Sequence, residues 1–321
     1  MSWLFLSLAL QPALEEGPSV PLPCKEPYFL TASATGKFVA VGEAKAVHVL
    51  DGQTLGLLAK IDLECTAVGF DERDETFTAV GAALVRLETA GWRETLRGPL
   101  MQASFAKKDS RFPKTGIRFP DSVVQAHREG LEPGQALVTP KGEVYYRSKG
   151  GQLSVATVEG EAVKSSVLSE GRSGPVEGLE VEGVLAVSGE TAVVEIGRIT
   201  GVVLKGKIYS LAASGEPLAA ASFGKRVALV MKEKDGAYDT TSWKCLEQQE
   251  AENEAAAFDV KRGWVFASGK GALRAWNAFN SGVEARYGKA AGRFTHLAVD
   301  GASTSLYAAD AKTLLSWRLK D

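Results

Sequence analysis

Between Met101 and Gly134 the chain reads MQASFAKKDSRFPKTGIRFPDSVVQAHREGLEPG. Lys107, Lys108, Arg111, Lys114, Arg118 and Arg128 are set against Asp109, Asp121, Glu129 and Glu132. Phe105, Phe112 and Phe119 are interleaved with these charges, and His127 lies in the same stretch. Arginine and aromatic faces are the side chains that most often anchor a binding surface, and loops are where they are displayed. The segment is therefore the candidate partner-binding element, suited to an acidic peptide, a polyanion or a sugar. The plainer alternative is a long connection whose phenylalanines pack on a neighbouring element.

Catalytic chemistry has no comparable signal. The chain contains no G-x-S-x-G, no H-E-x-x-H, no phosphate-binding glycine loop and no calcium loop. His48 lies within AVHVL and His296 within RFTHLAVD, where a hydrogen-bonded structural histidine is the simpler reading, and no pair of histidines has metal-ligand spacing. Glu43, Glu190, Asp235 and Asp310 occupy turn-like stretches and could gather at one face, although turns favour acidic residues for their own reasons. Cys24, Cys65 and Cys245 are far apart and form no C-x-x-C pair. They read as inert core thiols, with one disulfide at most. No catalytic residue, metal or cofactor is expected.

Composition excludes further classes. With 37 basic against 39 acidic residues the net charge is −2, too small a field to suggest nucleic acid as partner. The hydrophobic fraction of 45% supports a sizeable core. No apolar run reaches the roughly 18 to 20 residues that span a bilayer, so no transmembrane segment is expected.

The elements that would carry the 101–134 segment follow from a repeat. Short apolar tetrads recur: FVAV at Phe38, FTAV at Phe77, ALVT at Ala136, VLAV at Val184, VALV at Val227, VFAS at Val265 and LYAA at Leu306. Their starts are separated by 39, 59, 48, 43, 38 and 41 residues. The long interval marks an insertion. After each tetrad come a polar turn and, in most copies, a second β-type run, as in AVHVL, LVRL, LRAW and LLSW. We read each tetrad as the first strand of its unit. Four short strands at this period form a propeller blade, because one small sheet cannot bury both faces until neighbours stack on it. A β-sandwich has a similar strand count but gives no reason for sevenfold internal similarity. The fold class is all-β: a seven-bladed β-propeller with four-stranded antiparallel blades. Trp92, Trp243, Trp264, Trp276 and Trp317 come late in the repeats and are assigned to the space between blades.

From about residue 18 onward the chain resembles the WD40-type and quinoprotein-like propellers. The resemblance rests on Val49-Leu50-Asp51-Gly52-Gln53-Thr54-Leu55, which is similar to the W-D-x-x-T-G corner, and on a looser copy at Ala275-Trp276-Asn277-Ala278-Phe279-Asn280-Ser281-Gly282. Regular Gly-His and Trp-Asp dipeptides are missing, and with them the buried His, Asp, Ser/Thr, Trp network of WD40 repeats. The resemblance implies a noncatalytic scaffold that binds a protein or peptide, expected to act as a monomer. The rivals are a hydrolase or lyase with its site at the mouth of the axial channel, and a small-ligand binder in that channel.

The last repeat stops at Leu319-Lys320-Asp321 after its third strand. Propellers close by taking the missing outer strand from the other end of the chain, and Ser19–Leu22 keeps the required alternation, with prolines tolerable on an outer edge. The propeller is then expected over residues 17–321. Residues 1–16, with the apolar stretch WLFLSLAL and small Ala9 and Ala13 near a cut, resemble a secretory signal peptide. That places the protein in a secreted or periplasmic compartment, where a disulfide is permitted. The alternative makes WLFLSLAL the closing strand of a cytoplasmic protein.

Overall fold

The computed structural model describes residues 12–320 apart from 44, 101–135, 149–151, 169–180, 189–190, 197–198, 205–206, 215, 224–225, 240–241, 243–244, 270, 280–283 and 288–292. Among the described residues every regular element is a strand. β1 (Ala13–Pro21) comes first. Blade 1 contains β2 (Phe29–Ala32), β3 (Phe38–Glu43), β4 (Ala46–Asp51) and β5 (Leu57–Ile61); blade 2 contains β6 (Ala67–Phe70), β7 (Thr76–Val80), β8 (Ala83–Glu88) and β9 (Arg93–Pro99). Blade 3 contains β10 (Ala136–Val138), β11 (Val144–Ser148), β12 (Gln152–Glu159) and β13 (Ala162–Val167); blade 4 contains β14 (Gly183–Ser188), β15 (Thr191–Ile196), β16 (Ile199–Leu204) and β17 (Lys207–Ser214). Blade 5 contains β18 (Pro217–Phe223), β19 (Arg226–Met231), β20 (Lys234–Asp239) and β21 (Cys245–Glu250); blade 6 contains β22 (Ala255–Asp259), β23 (Trp264–Gly269), β24 (Ala272–Asn277) and β25 (Glu284–Tyr287). Blade 7 contains β26 (His296–Val299), β27 (Ser305–Ala309) and β28 (Thr313–Lys320), with β1 as its fourth strand. The first strands touch one another in turn, from β2 through β6, β10, β14, β18, β22 and β26 back to β2. The result is a seven-bladed propeller.

The strand sequences follow from how a blade is covered. A second strand has a neighbouring blade on each face, so it is apolar throughout rather than alternating. In β3, Phe38 and Ala40 face blade 2 while Val39 and Val41 face blade 7, and all four are buried. The same two-residue alternation distributes the other buried side chains into seven clusters, one in each seam between blades. Trp264 and Trp317 fill the seam of blades 6 and 7, Trp276 that of blades 5 and 6, and Trp92 packs on that of blades 1 and 2. Trp243 lies outside the described residues.

Two expectations need correction. Five of the tetrads are second strands, not first strands; only Ala136–Thr139 and Val184–Val187 begin first strands, β10 and β14. Both kinds of strand are short, apolar and covered, so composition does not separate them. The closing strand is also longer than Ser19–Leu22. It starts at Ala13, pairing Ala13, Leu14, Glu15 and Glu16 with Lys320, Leu319, Arg318 and Trp317, so these four residues belong to the ring. Most of β1 is exposed and polar, and it is held instead by its ladder, by the Glu15–Lys320 ion pair at 2.8 Å and by the bond from Tyr287 Oη to the Pro12 carbonyl at 2.6 Å. Its register shifts between Glu16 and Ser19. Pro18, which has no N–H for the ladder, sits in that bulge. No helix among the described residues is long and apolar enough to cross a membrane.

Candidate interaction surfaces

Antiparallel strands fix which loops share a face. The turns from second to third strand, and the connectors from each fourth strand to the next blade, lie at one end of every blade, here the connector face. The turns from first to second strand and from third to fourth lie at the other end, the corner face. The chain leaves the rim of blade 2 at Pro99 and rejoins the ring beside the axis at Ala136, both on the connector face. Phe105, Lys107, Lys108, Arg111, Phe112, Lys114, Arg118, Phe119, His127 and Arg128 all lie outside the described residues.

The groups singled out on the connector face are tied into the scaffold. His48 Nε2 lies 3.0 Å from Glu43 Oε1, and the imidazole is buried. Asp235 is buried against Arg274 of the next blade, and Asn253 joins both: its Nδ2 donates to Asp235 Oδ1 at 2.8 Å, and its Oδ1 accepts from Arg274 Nη2 at 2.6 Å. Such a pair survives burial because further hydrogen bonds satisfy it. Asp310 Oδ1 accepts from the backbone N–H of Lys312 and Thr313, both at 2.7 Å, and so closes its own turn. These three carboxylates share a face without forming a site, and Glu190 lies outside the described residues. Burial, with Glu182 and Glu216 nearby, pushes the Glu195 carboxyl up, and burial pushes the His296 imidazole down.

The cysteines do not pair. Cys24 packs in the seam of blades 7 and 1, Cys65 in that of blades 1 and 2, and Cys245 is exposed on outer strand β21, and none of them is in a disulfide. Burial pushes Cys24 up to about 11, helped by the Glu43 carboxylate, and Cys65 up to about 12. Both are weak nucleophiles, which require the thiolate.

The corner face carries a set of aspartates that the repeat count missed. Asp71 and Asp300 directly follow first strands β6 and β26, Asp259 is the last residue of first strand β22, and each accepts a backbone N–H of the next turn: Glu75 at 2.8 Å, Thr304 at 2.7 Å and Lys261 at 3.1 Å. Asp74, at φ +58°, crosses to blade 1, where its carboxylate accepts from Ser33 Oγ at 2.7 Å, the Ala34 N–H at 3.0 Å and the Thr35 N–H at 3.3 Å. Asp259 crosses likewise, accepting from Ser303 Oγ of blade 7 at 2.6 Å. Asp259 Oδ2 also lies 3.5 Å from Arg262 Nη1; a buried carboxylate is tolerable only with such partners, and these contacts lock adjacent blades. The legible signal was an aspartate at the end of the first strand in blades 2, 6 and 7.

The W-D-like corners lie on this face too. In blade 1, Asp51 Oδ1 accepts from the N–H of Gln53 (3.0 Å), the N–H of Thr54 (2.8 Å) and Thr54 Oγ1 (2.9 Å). Tyr307 Oη of blade 7 donates to the Gly52 carbonyl at 3.0 Å. In blade 6 the equivalent Asn277 Oδ1 accepts from the Phe279 N–H at 2.9 Å, and its Nδ2 donates to the Arg262 carbonyl at 3.1 Å. Trp276 Nε1 is buried without a hydrogen-bond partner, as expected where the WD40 network is missing.

No family model matches the chain, and neither does any curated protein. Solved structures do match. The crystal structure of the β-propeller domain of Cps50 (Swd1) from Myceliophteria thermophila superposes with a TM-score of 0.66 over 94% of this chain and 100% of that one, at 10% sequence identity. The fold is that of a WD40-like β-propeller. At that identity the likeness concerns the fold alone.

Proposed function

We propose that this WD40-like propeller is a noncatalytic interaction module that binds a protein or peptide partner, with the 101–134 segment as one contact element. The observation that carries the reading is the employment of the reactive groups: His48, Asp235 and Asp310 close turns and seams, and the Cys24 and Cys65 thiols are buried and raised. The flanking strands support it, since β9 is the outer strand of blade 2 and β10 the inner strand of blade 3. The chain acts as a monomer and is exported, with a removable leader ahead of β1. Because β1 begins at Ala13 and Tyr287 bonds Pro12, the cut falls before Pro12.

The test is affinity capture from the native compartment with the parent and with Arg111→Glu, Lys114→Glu and Arg118→Glu combined. Capture of a defined partner by the parent and its loss in the variant is the expected outcome; retention by the variant removes the 101–134 segment from the interface. Mass spectrometry of the purified native protein should find a mature N-terminus at residue 11 or 12, and an intact Met1 would remove export from the proposal.

A further inference from the structure

Strand β1 closes blade 7 from the outside and is attached unlike any other outer strand. The outer strands of blades 1 to 6 each follow their third strand in the chain, whereas β1 reaches β28 from the opposite end of the sequence. Of its nine residues only Leu14 and Val20 are partly buried. Leu14 packs on the seam of blades 6 and 7, and Val20 on that of blades 7 and 1. Those seams are built from the strands inside it. Leu306, Ala308, Trp317 and Leu319 face blade 6, and Tyr307, Ala309 and Leu314 face blade 1, all from β27 and β28. Departure of β1 therefore leaves the apolar clusters of blade 7 assembled and opens the outer edge of β28.

The way β1 sits on that edge defines what the edge accepts. Glu15 reaches Lys320 in an exposed ion pair, and Ser316 Oγ donates to the Pro18 carbonyl at 3.3 Å. Gly17 lies against Ser316, where a Cβ would stand 2.7 Å from Ser316 Oγ and 3.0 Å from the Ser316 carbonyl oxygen. A larger residue there collides with the ladder. The register shift between Glu16 and Ser19 interrupts the pairing midway along the strand. Exposed ion pairs contribute little, and an exposed strand with few apolar contacts opens locally at a smaller cost than the whole fold. An opened sheet edge pairs with any extended segment that fits it.

We propose that β1 is a releasable strap: it lifts from β28 while the rest of the ring stays folded, and the vacated edge takes an extended segment of a partner protein that carries the pattern of β1. Aliphatic residues of that segment take the seats of Leu14 and Val20, an acid meets Lys320, and a glycine passes Ser316. A second copy of the chain would exchange like for like and gain no contact, so the occupant is a partner segment. The surface is separate from the 101–134 segment and goes beyond the interaction-module reading, which stands or falls independently of it.

Fluorescence anisotropy tests it with a labelled synthetic peptide of residues 13–21, ALEEGPSVP, added to the full chain. The parent should take up this peptide, and a version carrying Gly17→Val should bind about tenfold more weakly or worse. Leu14→Ser combined with Val20→Ser in the protein loosens the strap and should raise uptake about tenfold. Glu15→Cys combined with Arg318→Cys, opposite one another in the ladder, in a Cys245→Ser background, should abolish uptake when oxidised and restore it when reduced. Hydrogen exchange should show β1 amides opening at least about tenfold faster than those of β27. No uptake by either the parent or the loosened variant at millimolar peptide overturns the proposal, as does uptake undiminished in the oxidised protein. Exchange of β1 and β27 at one common rate overturns the release step, and strand-swapped dimers of the parent would overturn the partner segment as occupant.

Discussion

The corners of blades 1 and 6 occupy the same place in their blades and treat their apolar residue in opposite ways. At Asp51–Leu55 the carboxylate gathers three donors and Leu55 turns inward, 2% exposed, at φ +58°. Left-handed backbone costs a non-glycine residue about 1 kcal/mol, and burying a leucine contributes about 2 kcal/mol, so burial wins. Blade 2 makes the same exchange with Trp92, at φ +56° and packed edge-on against Phe38 with ring centroids 5.3 Å apart. Blade 6 does not. Asn277 Oδ1 accepts from the Phe279 N–H, Arg226 Nη1 donates to the Ala278 and Phe279 carbonyls, and Phe279 is 46% exposed. The difference separates a corner that closes its blade from one that presents a side chain.

The strongest way to break the closed corner is at Gly52, where a Cβ would stand 2.0 Å from the Gly36 carbonyl oxygen and 3.1 Å from Tyr307 Oη. Backbone rather than a flexible side chain blocks it, so Gly52→Ala should cost about 3 kcal/mol in urea unfolding. Asp51→Ala leaves the Gln53 and Thr54 donors to water and should cost about 1.5 kcal/mol, and Asn277→Ala, which removes one acceptor and one donor, about 1 kcal/mol. The Phe279 ring lies over Gly263, at φ +76°, where a Cβ would stand 2.2 Å from Phe279 Cδ2. Gly263→Ala should cost about 1 kcal/mol through its backbone alone. It should also displace the Phe279 ring, visible as a shift of its aromatic proton resonances.

The smallest effect distinguishes the corners by pH. Hydrogen bonds from Thr54, above all from its backbone, hold the Asp51 carboxyl below the usual carboxylate range. A lowered folded value means that its contribution is complete above the unfolded carboxylate value and is lost as pH falls below about 4. Asn277 does not titrate. Melting temperatures at pH 5 and pH 3 should therefore fall further for the parent than for Asp51→Asn; parallel falls would remove Asp51 from the acid response.

These corners also mark what could be read from the sequence. Leu50-Asp51-Gly52-Gln53-Thr54 kept enough of the W-D pattern for its turn to be recognised, and Asp51 does cap it. Ala275-Trp276-Asn277 was the looser match and makes the looser corner. Strand phase was not legible in blades 1, 2, 5, 6 and 7, because first and second strands such as Ala67–Phe70 and Thr76–Val80 are both short apolar runs and the packing that distinguishes them lies in other blades. β1 was only partly legible, since an exposed outer strand needs backbone donors and acceptors rather than alternating hydrophobics. The Asp74 and Asp259 bridges between blades depend on residues about forty positions away, Ser33 and Ser303, and no local pattern announces them. Whether an apolar corner residue turns inward was likewise hidden, because Leu55 and Phe279 are both single apolar residues next to polar turn residues.

The most direct measurement is a pair of urea unfolding curves, for Leu55→Ala and Phe279→Ala, against the parent. Truncating the buried leucine should cost about 3 kcal/mol, and truncating the presented phenylalanine should stay within about 0.5 kcal/mol of the parent. Equal losses would contradict the account, making Phe279 a core residue and the corner of blade 6 another closed one.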